Sequence, residues 1–147
     1  MTIPPFGEGG NLPPGIHEAT WEEIIARVGG TAWRRELLAG LQAALENLRE
    51  AGCRRVYIDG SFVTAKEEPG DFDACWEIAG VDADLLDPVL LDFSNARAAQ
   101  KERFRGELFP AEASADPYGT RFLDYFQRDK LTAEPKGIAA LDLEDMP

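Results

Sequence analysis

The sequence predicts an α/β fold of the α+β kind, a small mixed sheet packed against helices, and three observations lead there. Apolar residues recur at helical spacing over 31–51. Two short β-forming runs, 54–59 and 71–78, stand close together across a polar turn. Two further runs, 121–127 and 137–143, read as strands. With 147 residues the chain is long enough for a substantial core, and one domain is expected over 16–147 behind an arm over 1–15.

Taken in order, residues 1–15 hold Pro4, Pro5, Pro13, Pro14 and four glycines, a composition that opposes helix and reads as an extended arm. Thr20 with Glu23 three positions later makes a capping box for a short helix to about Val28, which Gly29 and Gly30 end. A second start at Thr31 opens a long amphipathic helix. Trp33, Leu37, Leu38, Leu41, Ala44, Leu45 and Leu48 line one face, Arg34, Arg35, Glu46, Arg49 and Glu50 the other, and Gly52 ends it. Val56, Tyr57 and Ile58 mark a strand closed by Gly60, and after the polar loop 62–70 a second strand resumes, so the two are expected to pair antiparallel. A short helix over 82–91, interrupted at Pro88, and another from Asn95 to about Phe104 follow, with a loop over 110–119. The alternating, aromatic-rich run 121–127 reads as a third strand and 137–143 as a fourth.

Composition narrows the functional classes. The 27 Asp and Glu against 15 Lys and Arg give a formal charge of −12, which repels a polyanion over most of the surface and argues against free DNA as a partner. A basic protein, or a polyanion drawn to a local metal-bearing pocket, is compatible with that charge. No run of about 18 apolar residues suggests a membrane span, and no secretory leader is visible. Cys53 and Cys75 lack metal-ligand spacing, so a reducing, cytoplasmic setting is expected, with Cys75 packing as a small hydrophobe. His17 reads as a surface or capping residue. Arg97, Lys101, Arg103 and Arg105 read as a solvated basic face, or, if turned to a cleft, as ligands for a phosphate or a partner.

The chemistry-bearing residues cluster around the first two strands. Side chains alternate along a strand, so Asp71 and Asp73 share a face while Phe72 points to the other. Two carboxylates this close repel unless a cation lies between them, and Mg²⁺, with its preference for oxygen ligands and phosphate, is the natural one. Gly60 and Ser61 at the end of the preceding strand offer close backbone approach and a hydroxyl for phosphates. Asp124, the one charge in Phe122-Leu123-Asp124-Tyr125-Phe126, is the candidate third carboxylate. Its burial without a partner is costly, which a shared metal or a salt bridge to Arg121 or Arg128 removes.

In this order and spacing, Asp59-Gly60-Ser61-Phe62-Val63-Thr64 followed by Pro69-Gly70-Asp71-Phe72-Asp73 resembles the polymerase-β-type nucleotidyltransferase superfamily. The closest likeness is to its small bacterial members, some of which act as antitoxins. The resemblance covers about residues 54–78, with 124–127 as a weaker extension. It implies a nucleotidyltransferase-like fold and a Mg²⁺-dependent transfer of a nucleoside monophosphate from a nucleoside triphosphate to a hydroxyl of a protein or RNA. In that reading Asp71, Asp73 and Asp124 are catalytic and hold the metal, Gly60 and Ser61 seat the terminal phosphates, and Lys66 is the basic residue of that loop, in which minimal members often carry an arginine. The alternative it implies is a non-catalytic, antitoxin-like module that keeps the fold and neutralises a toxin-like partner protein by contact.

Overall fold

The computed structural model describes residues 4, 12–59, 72–129 and 132–146. The described residues form a mixed α/β structure. Strand β1 (Gly15–Ala19) leads into helices α1 (Trp21–Val28) and α2 (Ala32–Glu50), then strands β2 (Arg55–Asp59) and β3 (Phe72–Trp76). Two three-ten turns, Ala83–Leu85 and Pro88–Leu91, precede helix α3 (Ser94–Phe104) and strand β4 (Gly106–Pro110); the short helix α4 (Phe122–Tyr125) and strand β5 (Gly137–Asp142) complete the fold.

Local sequence explains the helix ends. The hydroxyl of Thr20 accepts from the amide of Glu23, and the Glu23 carboxylate accepts from the amide of Thr20, both at 3.2 Å. Thr31 caps α2 by accepting from the Arg34 amide at 3.1 Å. Each cap satisfies amides that the first helical turn leaves without a partner. Five leucines of α2, at 37, 38, 41, 45 and 48, are buried. Each contributes roughly 1.5–3 kcal/mol relative to exposure.

The sheet order is β1-β5-β2-β3-β4. β2 is antiparallel to both β3 and β5, as the two expected neighbours at 54–59 and 71–78 require, whereas β1 with β5 and β3 with β4 are parallel. One face, with Val56, Ile58, Phe72, Ala74, Trp76 and Leu108, packs on α1, α2 and Phe104 of α3. The opposite face carries a smaller cluster of Tyr57, Cys75, Phe109, Phe126, Ile138 and Ala140. Helices therefore lie mainly on one face. Among the described residues, no helix is long and apolar enough to cross a membrane.

Four parts of the fold differ from the sequence reading. The run 121–127 is not a strand: Phe122–Tyr125 is helical. In a strand Phe122, Asp124 and Phe126 would share one face and carry the carboxylate into the apolar cluster. A helical turn brings Phe122 and Phe126 together at i and i+4, where both meet Phe109, and lets Asp124 face outward. The segment 82–91 is two three-ten turns because Asp82 and Asp87 each accept the amide two residues on, and Pro88 starts the second turn. Strands β1 and β4 carry no assignment in the sequence reading. β1 starts at the last residue of the expected arm, and its His17 ring donates from Nε2 to the Pro13 carbonyl at 2.6 Å. Residues 1–3 and 5–11 of the arm lie outside the described residues.

Candidate functional site

The sheet register builds the site. Asp59 on β2 stands opposite Asp73 on β3, and Asp73 stands opposite Glu107 on β4. Residues in register across neighbouring strands project to the same face, so three carboxylates form a row on the side away from α1 and α2. The next row on that face is Tyr57, Cys75 and Phe109.

These three carboxylates are differently balanced. Asp59 is 3 % exposed, and its Oδ1 lies 3.1 Å from Nζ of Lys136, itself largely buried. Asp73 and Glu107 instead face a cleft of 210 Å³ that they share with Arg97, Phe109, Phe122, Tyr125 and Phe126. Glu107 Oε1 accepts from Arg97 at 3.0 Å and 2.7 Å, and Nζ of Lys101 lies 3.3 Å from the same oxygen. Burial pushes the Glu107 carboxyl up. The hydrogen bond with the Asp73 side chain, the hydrogen bonds of Arg97 and the charges of Arg97 and Lys101 together outweigh burial and hold it below its ordinary value.

Helix α3 puts the two cations there. Gln100, fully buried, accepts from the Leu108 amide at 2.7 Å and so covers the outer edge of β4, which among the described residues has no further strand beside it. Lys101 follows directly, and Arg97 sits on the left-handed first turn formed by Asn95, Ala96 and Arg97 (φ 51, 55 and 61). The expected solvated basic face holds in part: Lys101, Arg103 and Arg105 are exposed, with Lys101 reaching Glu107 and Arg103 pairing with Asp87 at 2.6 Å, whereas Arg97 turns to the cleft and Glu107.

The sequence-derived site residues divide accordingly. Asp73 is at the cleft. Gly60, Ser61, Lys66 and Asp71 lie outside the described residues. Asp124 is not brought to Asp73: its side chain is half exposed, pairs with Arg121 at 3.0 Å, and lines a different pocket with Gln127, Arg128 and Lys136. The salt-bridge alternative thus describes Asp124; of the two carboxylates in register with Asp73, Asp59 is taken up by Lys136, and the one that shares its cleft is Glu107, which the sequence reading missed. The signal was present in Gly106-Glu107-Leu108-Phe109-Pro110, a five-residue run with one carboxylate set among apolar residues and closed by proline.

Cys53 and Cys75 are buried, and burial pushes both thiols up, Cys53 to about 11. Neither is poised as a nucleophile. Among the described residues no group of three His, Cys, Asp or Glu side chains is assembled for a metal. Asp73 and Glu107 are nevertheless an all-oxygen pair in hydrogen-bond contact. Two carboxyl groups so close need a shared proton or positive charge beside them; Arg97 and Lys101 supply such charge at Glu107, and the oxygen donors of the pair also fit Mg²⁺.

No curated protein and no solved structure matches the chain. Over residues 4–142 it matches one family, and the protein therefore belongs to the family of unknown function DUF6932.

Proposed function

We propose that the cleft of Asp73 and Glu107 is the centre of a Mg²⁺-dependent nucleotidyltransferase that moves a nucleoside monophosphate from a nucleoside triphosphate to a hydroxyl of a protein or RNA. The observation that carries the reading is the in-register pair of carboxylates on adjacent parallel strands, in one cleft with Arg97 and with Lys101 against the same carboxylate. In this reading Glu107 takes the role the sequence resemblance assigned to Asp124. Asp71, two positions before Asp73, joins the set from the sequence pattern alone.

Asp73 and Glu107 would hold the metal, with Asp71 completing the set. When bound, Mg²⁺ supplies charge neutralisation at the phosphates and at the attacking oxygen. The chain's own residues do the rest. Arg97 and Lys101 provide positive charge beside the carboxylates, where a triphosphate needs it. Gly60 and Ser61 would seat the terminal phosphates, as the resemblance implies. Asp73 or Glu107 would accept the proton of the acceptor hydroxyl as its oxygen bonds the α-phosphorus; the bond from the α-phosphorus to the bridging oxygen breaks, and pyrophosphate leaves.

The test follows α-phosphate-labelled nucleoside triphosphates in cell extract with Mg²⁺, using the native chain, Asp73→Asn, Glu107→Gln and Asp124→Asn. Label is expected to reach a macromolecule with the native chain and Asp124→Asn, and to fall about a hundredfold or more with the other two. Transfer that survives both Asp73→Asn and Glu107→Gln overturns the reading. So does a native chain that neither binds nucleotide with Mg²⁺ nor transfers label, and contact with a toxin-like partner then becomes the function to pursue.

A further inference from the structure

A second cavity, of 350 Å³, adjoins the carboxylate cleft and shares Arg97, Phe109 and Phe122 with it. Its walls include Phe93 and Ser114 as well. The three phenylalanine rings are nearly parallel: Phe93 to Phe109 with centroids 6.0 Å apart and planes 9° apart, Phe109 to Phe122 at 4.2 Å and 11°. Phe109 is buried, but Phe93 at the end of the stack is 40 % exposed. The guanidinium of Arg97 lies 5.5 Å from the Phe109 centroid and also bonds Glu107, so it marks the boundary between the aromatic slot and the carboxylates.

We propose that this slot seats the nucleobase of the nucleotide, stacked on the phenylalanine platform; the inference rests on the nucleotidyltransferase reading of the neighbouring cleft. Three features select this occupant. Parallel ring planes with one end open suit a flat π-system, whereas an aliphatic chain would draw no benefit from the alignment. The volume is near the lower end of the roughly 300–1,000 Å³ of small-molecule sites, enough for one ring system. Arg97 at the junction favours a ring that carries an anionic group directed toward the carboxylates, as a nucleotide does and a tryptophan or tyrosine side chain does not. Because stacking uses the face that every base has, this seat accepts all four bases with modest preference, and the Ser114 hydroxyl joins Arg97 as a hydrogen-bonding group among its walls.

The experiment measures AMP binding without metal and ATP binding with Mg²⁺, by ring-current shifts of the adenine protons. The proteins are the native chain, Phe93→Ala, Phe93→Trp and Asp73→Asn, each checked for an unchanged melting curve. The expected result is metal-free AMP binding that Phe93→Ala weakens about tenfold, Phe93→Trp preserves and Asp73→Asn, which removes a charge that repels the phosphate, does not weaken. Mg²⁺-dependent ATP binding that needs Asp73 but is unaffected by Phe93→Ala overturns the slot and leaves the transferase reading standing. AMP binding through Phe93 with no metal-dependent ATP binding supports the slot and overturns that reading. A chain that binds neither nucleotide overturns both.

Discussion

Asp73 and Glu107 face each other across the β3–β4 ladder, and their side chains are hydrogen-bonded to one another while Arg97 and Lys101 hold Glu107 from α3. The folded chain therefore binds a proton at Glu107 less readily than the unfolded chain does. The sign follows: the stability this group contributes is complete above its ordinary value near about 4.3, and it is lost as pH falls through the lowered folded value. Melting curves of the native chain and Glu107→Gln between neutral and strongly acidic pH are expected to differ most at neutrality and to converge in acid. A difference that does not change with pH would count against an ionised Glu107 held by Arg97 and Lys101.

Gly106 is required where β4 meets β3. A Cβ there would stand 2.5 Å from the ring of Phe72, a fully buried side chain. Gly106→Ala is expected to destabilise by roughly 1–3 kcal/mol through overpacking. Pairing it with Phe72→Leu should recover part of the loss, since the two sites share one contact. Denaturant midpoints of the two single variants and the double variant check this; strictly additive effects would refute it.

The ion pair of Asp59 and Lys136 is nearly removed from solvent, with side chains 4 % and 11 % exposed. Lys136→Met leaves a buried carboxylate without that cation and is expected to cost on the order of 3–5 kcal/mol. Adding Asp59→Asn should restore much of it, because the buried charge that lost this cation is gone. The comparison is read from unfolding free energies, and a double variant as unstable as Lys136→Met would assign the loss to packing instead.

The left-handed turn at the start of α3 places an alanine, Ala96, at φ 55 and ψ 37. An L-residue is disfavoured there by about 1–2 kcal/mol, partly offset for glycine by its greater freedom in the unfolded chain. Ala96→Gly is expected to raise stability by up to about 1 kcal/mol, and Ala96→Val to lower it by more. Equal stability of the two variants in thermal or denaturant unfolding would show that the turn relaxes.

Much of the fold was legible because its signals are local. The capping box at Thr20 and Glu23, the leucine stripe of α2 and the β-formers at 56–58 each occur within one or two turns of chain. The carboxylate site was only half legible. Asp73 announces itself beside Asp71, but Glu107 lies 34 residues away from Asp73 in the chain and meets it through a parallel ladder. Such a partnership leaves no spacing to read. Asp124 attracted the third role as the one charge in an aromatic run, yet the Phe109 stack selects a helical turn that sends Asp124 outward to Arg121.

By itself the sequence determined the mixed α/β class, the two N-terminal helices, the antiparallel pairing of β2 with β3 and the candidacy of Asp73, because short-range periodicity and turn chemistry encode them. Tertiary structure alone decided which carboxylate shares the cleft with Asp73, that Arg97 turns into that cleft while Lys101 reaches Glu107 from the surface, and that three phenylalanines align next to it. Those outcomes depend on strand register and on the packing of α3 and α4 against β4, contacts between residues distant in the chain whose energies no local pattern records.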